Sequence, residues 1–238
     1  MWRNPRHSCD SNGEHGVARV RGHLKKSLLL LGFLIFLFQA RTSQLAFIVL
    51  NTANWGTGRL PSDWQIKINH GRSDISVCSD GDSCLHLKSD RSSFALEHRV
   101  DVDPSQMPFL TWRWKVAQLP AGGDFRHAST DDQAAQVLVA FDDKRILTYI
   151  WDTNAPKGTI QSASNIPLVR IYAVVCQSGA SQANQWIAES RNIAADYERI
   201  YGKPAPRVKG LRLQINSQHT GTTAESFFGE VAFRSMLQ

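Results

Sequence analysis

The fold class this sequence predicts is all-β, an antiparallel sandwich or jelly roll, with one short helix. Three observations predict it. About ten runs of four to eight residues are rich in apolar, β-branched and aromatic side chains, several with strict alternation. Gly, Pro, Asn, Asp and Ser punctuate nearly every gap between them. A single segment has helical spacing with a stop and a start, whereas a parallel α/β sheet would alternate its strands with longer helices.

Taken in order, Leu45–Leu50 is a short apolar run, and residues 51–62 read as a loop because Gly56, Gly58 and Pro61 interrupt them. Strands are expected at Trp64–Ile68, Asp74–Val77, Cys84–Lys88 and Phe94–Val100. Phe109–Val116, FLTWRWKV, places Trp112, Trp114 and Val116 on one face and Arg113 and Lys115 on the other. Ala134–Phe141 and Arg145–Trp151 form a hairpin, since only Asp142, Asp143 and Lys144 join them. Val169–Val175 and Trp186–Arg191 follow. Asn192 then caps a helix that buries Ile193, Tyr197 and Ile200 and stops at Gly202 and Pro204. Two last strands, Leu211–Asn216 and Ser226–Phe233, complete the series; Leu211, Leu213 and Ile215 alternate with Arg212, Gln214 and Asn216.

The formal charge of +6 belongs largely to the first 40 residues, which hold six Lys and Arg against two acids. The remaining 21 basic and 19 acidic residues are nearly balanced, with no long basic block or aromatic–basic signature, so nucleic acid is not an expected partner. Arg19, Arg21, Lys25 and Lys26 precede the apolar run Leu28–Phe38, the order of an export signal. That run of about 11 residues is short for a bilayer span, which needs about 20. No small-x-small cleavage site follows it cleanly, so an uncleaved inner-membrane anchor stays open beside a cleaved signal peptide. Residues 1–44 are therefore read as an N-terminal extension with a signal peptide or anchor, and residues 45–238 as one β-sandwich domain, periplasmic or extracellular. Membrane contact is expected only through the N-terminal segment.

Export gives the cysteines meaning. Cys78 and Cys84 flank a turn-rich string, Ser79 to Ser83, and a disulfide between them is expected, against the alternative of two reduced thiols at the ends of a turn. Cys176, within IYAVVC, reads as a core residue.

The polar loop after Leu211–Asn216 concentrates amide, imidazole, hydroxyl and carboxylate groups between two strands, as a ligand site requires. Arg113, Gln136, Trp151, Gln214, Asn216 and His219 are the expected ligand-binding residues, because alternation turns the polar ones away from the apolar set and an aromatic beside Asp152 can bracket a sugar hydroxyl. Were the protein an enzyme, Glu189, Arg191 and His219 would share charge neutralisation and proton transfer. His219 has no nucleophile or metal partner evident in sequence: there is no G-x-S-x-G and no H-E-x-x-H. Asp131 and Asp132 offer oxygen donors to calcium, although adjacent acids commonly cap turns. No cofactor is expected.

With TWRWKV, TDDQAAQVLVAF, YIWD followed by APKG, ESRN followed by DY, and QINSQHT followed by AESFF on the page, the chain resembles the bacterial domain of unknown function 3047 over roughly residues 60–233. The resemblance implies an exported single-domain jelly-roll sandwich similar to carbohydrate-binding modules, whose biochemical role is not established, and it implies nothing about Cys78 and Cys84. The reading that follows is an exported noncatalytic module binding a glycan or other polar polymer. Its rivals are a jelly-roll polysaccharide lyase or hydrolase and an envelope protein-interaction module.

Overall fold

A computed structural model describes residues 44–55, 60–163 and 168–237. The leader and Cys9 lie outside the described residues. The strands are β1 (Ala46–Leu50), β2 (Trp64–His70), β3 (Ile75–Asp80), β4 (Asp82–Asp90), β5 (Ser93–Val102), β6 (Phe109–Gln118), β7 (Ala135–Phe141), β8 (Arg145–Asp152), β9 (Ile160–Ser162), β10 (Arg170–Ser178), β11 (Ile187–Asn192), β12 (Val208–Asn216) and β13 (Thr223–Arg234), with helix α1 (Ile193–Tyr201) between β11 and β12. They form two sheets. The first runs β11-β6-β13-β4-β3, with β1 paired to the end of β13, and the second runs β2-β5-β12-β7-β8-β10-β9.

The expected sandwich is the observed fold, with one departure from pure antiparallel pairing. Strand β10 lies parallel to β8, because the chain leaving β8 first lays down β9 beyond it and then returns to fill the gap between the two. Strand β9 has three residues, too few for a periodic pattern to register.

Alternation decides what the sheets enclose. From β6, Trp112 and Trp114 point inward, and from β8 so do Leu147, Tyr149 and Trp151; all five are buried. Trp112 meets Tyr149 with ring centroids 5.4 Å apart, and Trp114 meets Trp151 at 5.9 Å. Leu211, Leu213 and Ile215 of β12 join Phe94, Leu96, Phe228 and Phe233 in the same core. Cys176 is buried there too, and burial pushes its thiol up. Burying an aromatic or aliphatic side chain of this size contributes roughly 1.5–3 kcal/mol, so the inter-sheet layer dominates the fold.

Helix α1 begins as its sequence predicts. Asn192 Oδ1 accepts from the Ala195 N–H at 3.0 Å, and Gly202, at a φ of +71°, closes the other end by donating to the Glu198 carbonyl. Register places Cys78 opposite Cys84 across β3 and β4, and a disulfide joins them, bracing a hairpin that turns at Gly81.

Candidate functional site

The side chains that β12 turns away from the core fall into rows across the second sheet. One row reads Gln65, Glu97, Arg212, Leu138, Thr148 and Ala173 from β2 to β10. The next reads Lys67, Ala95, Gln214, Gln136, Ile150 and Val175. Ser93 and Asn216 begin a third. These rows floor two adjoining depressions, about 440 and 320 Å³, that share Leu138 and Arg212 and so read as one groove.

The wall over the second depression comes from residues 120–134 and from the β12–β13 loop. Asn216 holds the two together. Its Oδ1 accepts from the Gln133 N–H at 2.9 Å and from Gln136 Nε2 at 2.6 Å, and its Nδ2 donates to the Asp131 carbonyl at 2.7 Å. Buried Asp132 fixes the loop from the other side, accepting at Oδ2 from the Thr220 N–H and hydroxyl. Asp152 pins the rest of the wall by accepting from the N–H groups of Phe125, Asn154 and Ala155. A side chain at Gly123 could not be accommodated here, since its Cβ would lie 2.6 Å from the Asp132 carbonyl.

Within this frame His219 is held by Nδ1, 3.0 Å from the Asp131 carbonyl and 3.6 Å from Asp132 Oδ1. Gln218 Nε2, a donor, lies 3.2 Å from the same nitrogen, against two acceptors, the Asp131 carbonyl and Asp132 Oδ1; the two acceptors favour the proton on Nδ1, which leaves the lone pair on Nε2. Asp131 accepts from Gln133 Nε2 at 2.9 Å, and burial pushes its carboxyl above the ordinary range despite that hydrogen bond and nearby His219. Arg212 pairs with Glu97 and reaches Gln214 Oε1 at 3.5 Å. Two buried atoms of the second depression have no hydrogen-bond partner within the protein: Thr148 Oγ1, on a residue 4 % exposed, and Gln218 Oε1. Leaving such a group unsatisfied costs about 1–3 kcal/mol.

Of the residues singled out in sequence, Gln136, Gln214, Asn216 and His219 line this depression together. Trp151 does not: its ring is buried between the sheets and its Nε1 donates to the Gly179 carbonyl. Arg113 lies on the outer face of the other sheet, bonded to Asp82 Oδ2 at 2.8 Å and stacked over Trp186. Glu189 and Arg191 sit on edge strand β11, and no contact joins either to His219. Glu189 accepts from Gln177 Nε2, and burial pushes its carboxyl up; Arg191 holds Asp196 through two hydrogen bonds. The expected trio of Glu189, Arg191 and His219 is therefore separated, because inward-facing positions of β11 point toward the core whereas His219 overhangs the opposite sheet's outer surface. Asp131 and Asp132 have their own hydrogen-bond donors, and among the described residues no group of three or more His, Cys, Asp or Glu gathers as a metal site would need.

Sequence reading missed Arg212, Gln133 and Thr148. For Arg212 the signal was present, since it shares the outward phase of Gln214 in LRLQIN. Thr148 is the one hydroxyl on the outward phase of an otherwise apolar ILTYIW run.

Fold and groove define a β-sandwich protein with a ligand-sized groove on one sheet, lined by both polar and apolar side chains. By sequence the chain belongs to the family described as Protein of unknown function (DUF3047), which it matches over residues 62–232. No curated protein matches it. Among solved structures it is similar to the xyloglucanase domain of NopAA, a type three effector from Sinorhizobium fredii, in complex with cellobiose, at 8 % identity over 74 % of this chain and 96 % of that one, with a TM-score of 0.48. It is also similar to a family 11 carbohydrate-binding module from Clostridium thermocellum in complex with a β-1,3-1,4-mixed-linked tetrasaccharide, at 8 % identity over 79 % and 94 % of the two chains and a TM-score of 0.40. A cellulase derived from Cel12A of Rhodothermus marinus matches at 8 % identity over 80 % and 100 %, with a TM-score of 0.43. Likeness of this degree carries no argument about chemistry.

Proposed function

We propose that this protein is an exported module whose second-sheet groove binds a hydroxyl-rich polymer, a glycan in the first instance. One observation carries the reading: two separate stretches, TDDQAAQ and QINSQHT, converge to line a single depression with amides, an imidazole and a carboxyl, beside a buried Thr148 hydroxyl that no protein group satisfies. Neutral amides and hydroxyls both donate and accept, as sugar hydroxyls do, so such a wall suits the hydroxyls of a saccharide. The apolar half of the floor, Leu138, Ala140 and Ile146, suits the C–H faces of a pyranose ring. The Cys78–Cys84 disulfide and the basic–apolar leader support export.

Thr148→Val tests the reading with opposite signs. Replacing an unsatisfied buried hydroxyl with an isosteric methyl should leave the melting temperature unchanged or raise it. The same change should weaken retention of the protein in glycan-impregnated gels about 10-fold, the loss expected for one buried hydrogen bond to ligand. If no glycan in a broad panel retards the wild-type protein, the glycan reading fails and a protein partner in the envelope takes its place.

A further inference from the structure

We propose that His219 is a general base in this groove and that the groove cleaves a uronate-containing polysaccharide by β-elimination, with Asp132 as positioning residue and Arg212 as the anchor for the sugar carboxylate. This rests on the glycan reading above and adds a reaction to it.

The geometry around His219 is that of a held base. The Asp131 carbonyl and Asp132 Oδ1 draw the proton to Nδ1 against the Gln218 amide, which leaves the Nε2 lone pair as the reactive one, and the side chain lines the groove at 42 % exposure. Behind it stands the Asp132 carboxylate, wholly buried, whose Oδ1 has no hydrogen-bond partner and lies 3.6 Å from Nδ1. A buried acceptor aimed at the far side of an imidazole stabilises the imidazolium that forms when Nε2 takes a proton. Asp131 and Arg212 line the same depression as the ring.

Hydrolysis through two carboxyl groups needs them roughly 5–10 Å apart. Here Glu97 lies level with Arg212, while the Asp131 carbonyl is bonded to Asn216, four residues and a backbone rise of about 13 Å further along β12. Glu97 already pairs with Arg212, so a sugar carboxylate would share that guanidinium with it. Elimination needs no such pair. In a uronate the C5 proton is acidified by the neighbouring carboxylate, and a guanidinium on that carboxylate stabilises the charge as the proton leaves.

The step balances without a co-reactant. His219 Nε2 takes the C5 proton, the C5–H electron pair becomes the C4=C5 double bond, and the C4–O bond breaks with its pair on the glycosidic oxygen. The imidazolium returns the proton to that oxygen. The products are a shortened chain and a fragment with an unsaturated end.

The test uses the purified full-length protein with polygalacturonate and polymannuronate, and a neutral mixed-linkage glucan as control. Expected is a steady rise in ultraviolet absorbance from the new double bond with at least one polyuronate and none with the glucan. His219→Gln, at an exposed position, should lower the rate at least about 100-fold while the melting temperature is little changed and the polymer is still retained in gels. Asp132→Asn should lower kcat about 10-fold with KM unchanged, and Arg212→Lys should raise KM. Retention of polyuronates without any absorbance change overturns the elimination and leaves the binding reading standing, as does activity that survives His219→Gln. Absence of both retention and absorbance with every polymer fails the binding reading itself.

Discussion

The outer faces of the two sheets use polar residues in opposite ways. On the first sheet several prominent charges are answered from within: Arg113 by Asp82, Lys115 and the Trp186 indole N–H by Asp80, and His86 by Glu225 at 2.8 Å. Aromatic rings fill the spaces between, with Lys115 over Phe227 at 4.4 Å and His86 stacked flat on that ring. On the second sheet the outward residues are chiefly uncharged, and some polar atoms, such as Thr148 Oγ1, have no partner in the protein. A satisfied ion-pair ladder has nothing left to offer a ligand, whereas unsatisfied donors and acceptors in a depression gain most when one arrives. The residues most conspicuous in sequence, Arg113 and Lys115 between two tryptophans, thus belong to the self-contained face.

Four changes would break or sharpen this contrast. The largest effect is expected from Asn216→Ala, which removes the side chain joining both walls of the groove; unfolding in urea should show a loss of about 3 kcal/mol, with glycan retention abolished. If stability falls and retention survives, the walls do not form the site. Next, Cys78→Ser with Cys84→Ser should cost about 2 kcal/mol, since the bond closes a short loop. It should loosen Asp80 and Asp82 on the first sheet while leaving ligand retention untouched.

The third change sets pH against the two faces. Hydrogen bonds from Lys115 and then Trp186 hold the Asp80 carboxyl below its ordinary value, so its stabilisation is present above the normal carboxylate range and is lost as pH falls through the lowered value. Asp131 is pushed up by burial, so its contribution is full below the normal range and is lost as pH rises through the raised value. Thermal melts of Asp80→Asn should therefore fall below wild type near neutral pH and converge with it in acid. Those of Asp131→Asn should rise above wild type near neutral pH and converge likewise. Equal signs for the two variants would erase the distinction. The smallest effect is expected from Arg113→Ala, under about 1 kcal/mol because Arg113 and Asp82 are both largely exposed, with no change in glycan retention. Weakened retention would bring the first sheet into the site.

Much of the molecule was legible before its structure. Trp112 and Trp114 on one face of FLTWRWKV, the hairpin through Asp142–Lys144, and the helix from its Asn192 cap to Gly202 all follow from periods and caps that act over a few residues. Half of the groove was legible in the same way, since alternation alone turns Gln214 and Asn216 outward. Trp151 was harder: an aromatic beside an acid at a strand end has the same pattern whether its ring meets a sugar or, as here, Trp114.

By itself the sequence determined which residues form strands and which face of each strand is apolar, because both depend on neighbours one or two positions away. Only the tertiary structure decided which sheet each strand joins, and hence that Arg113 and Gln136 lie on opposite outer faces although both point away from the core. The same assembly brought Asn216 onto Gln133, Gln136 and Asp131 across 80 to 85 residues of chain. Pairings at that distance are selected by the fit of whole sheets, through packing and register, and no local period records them.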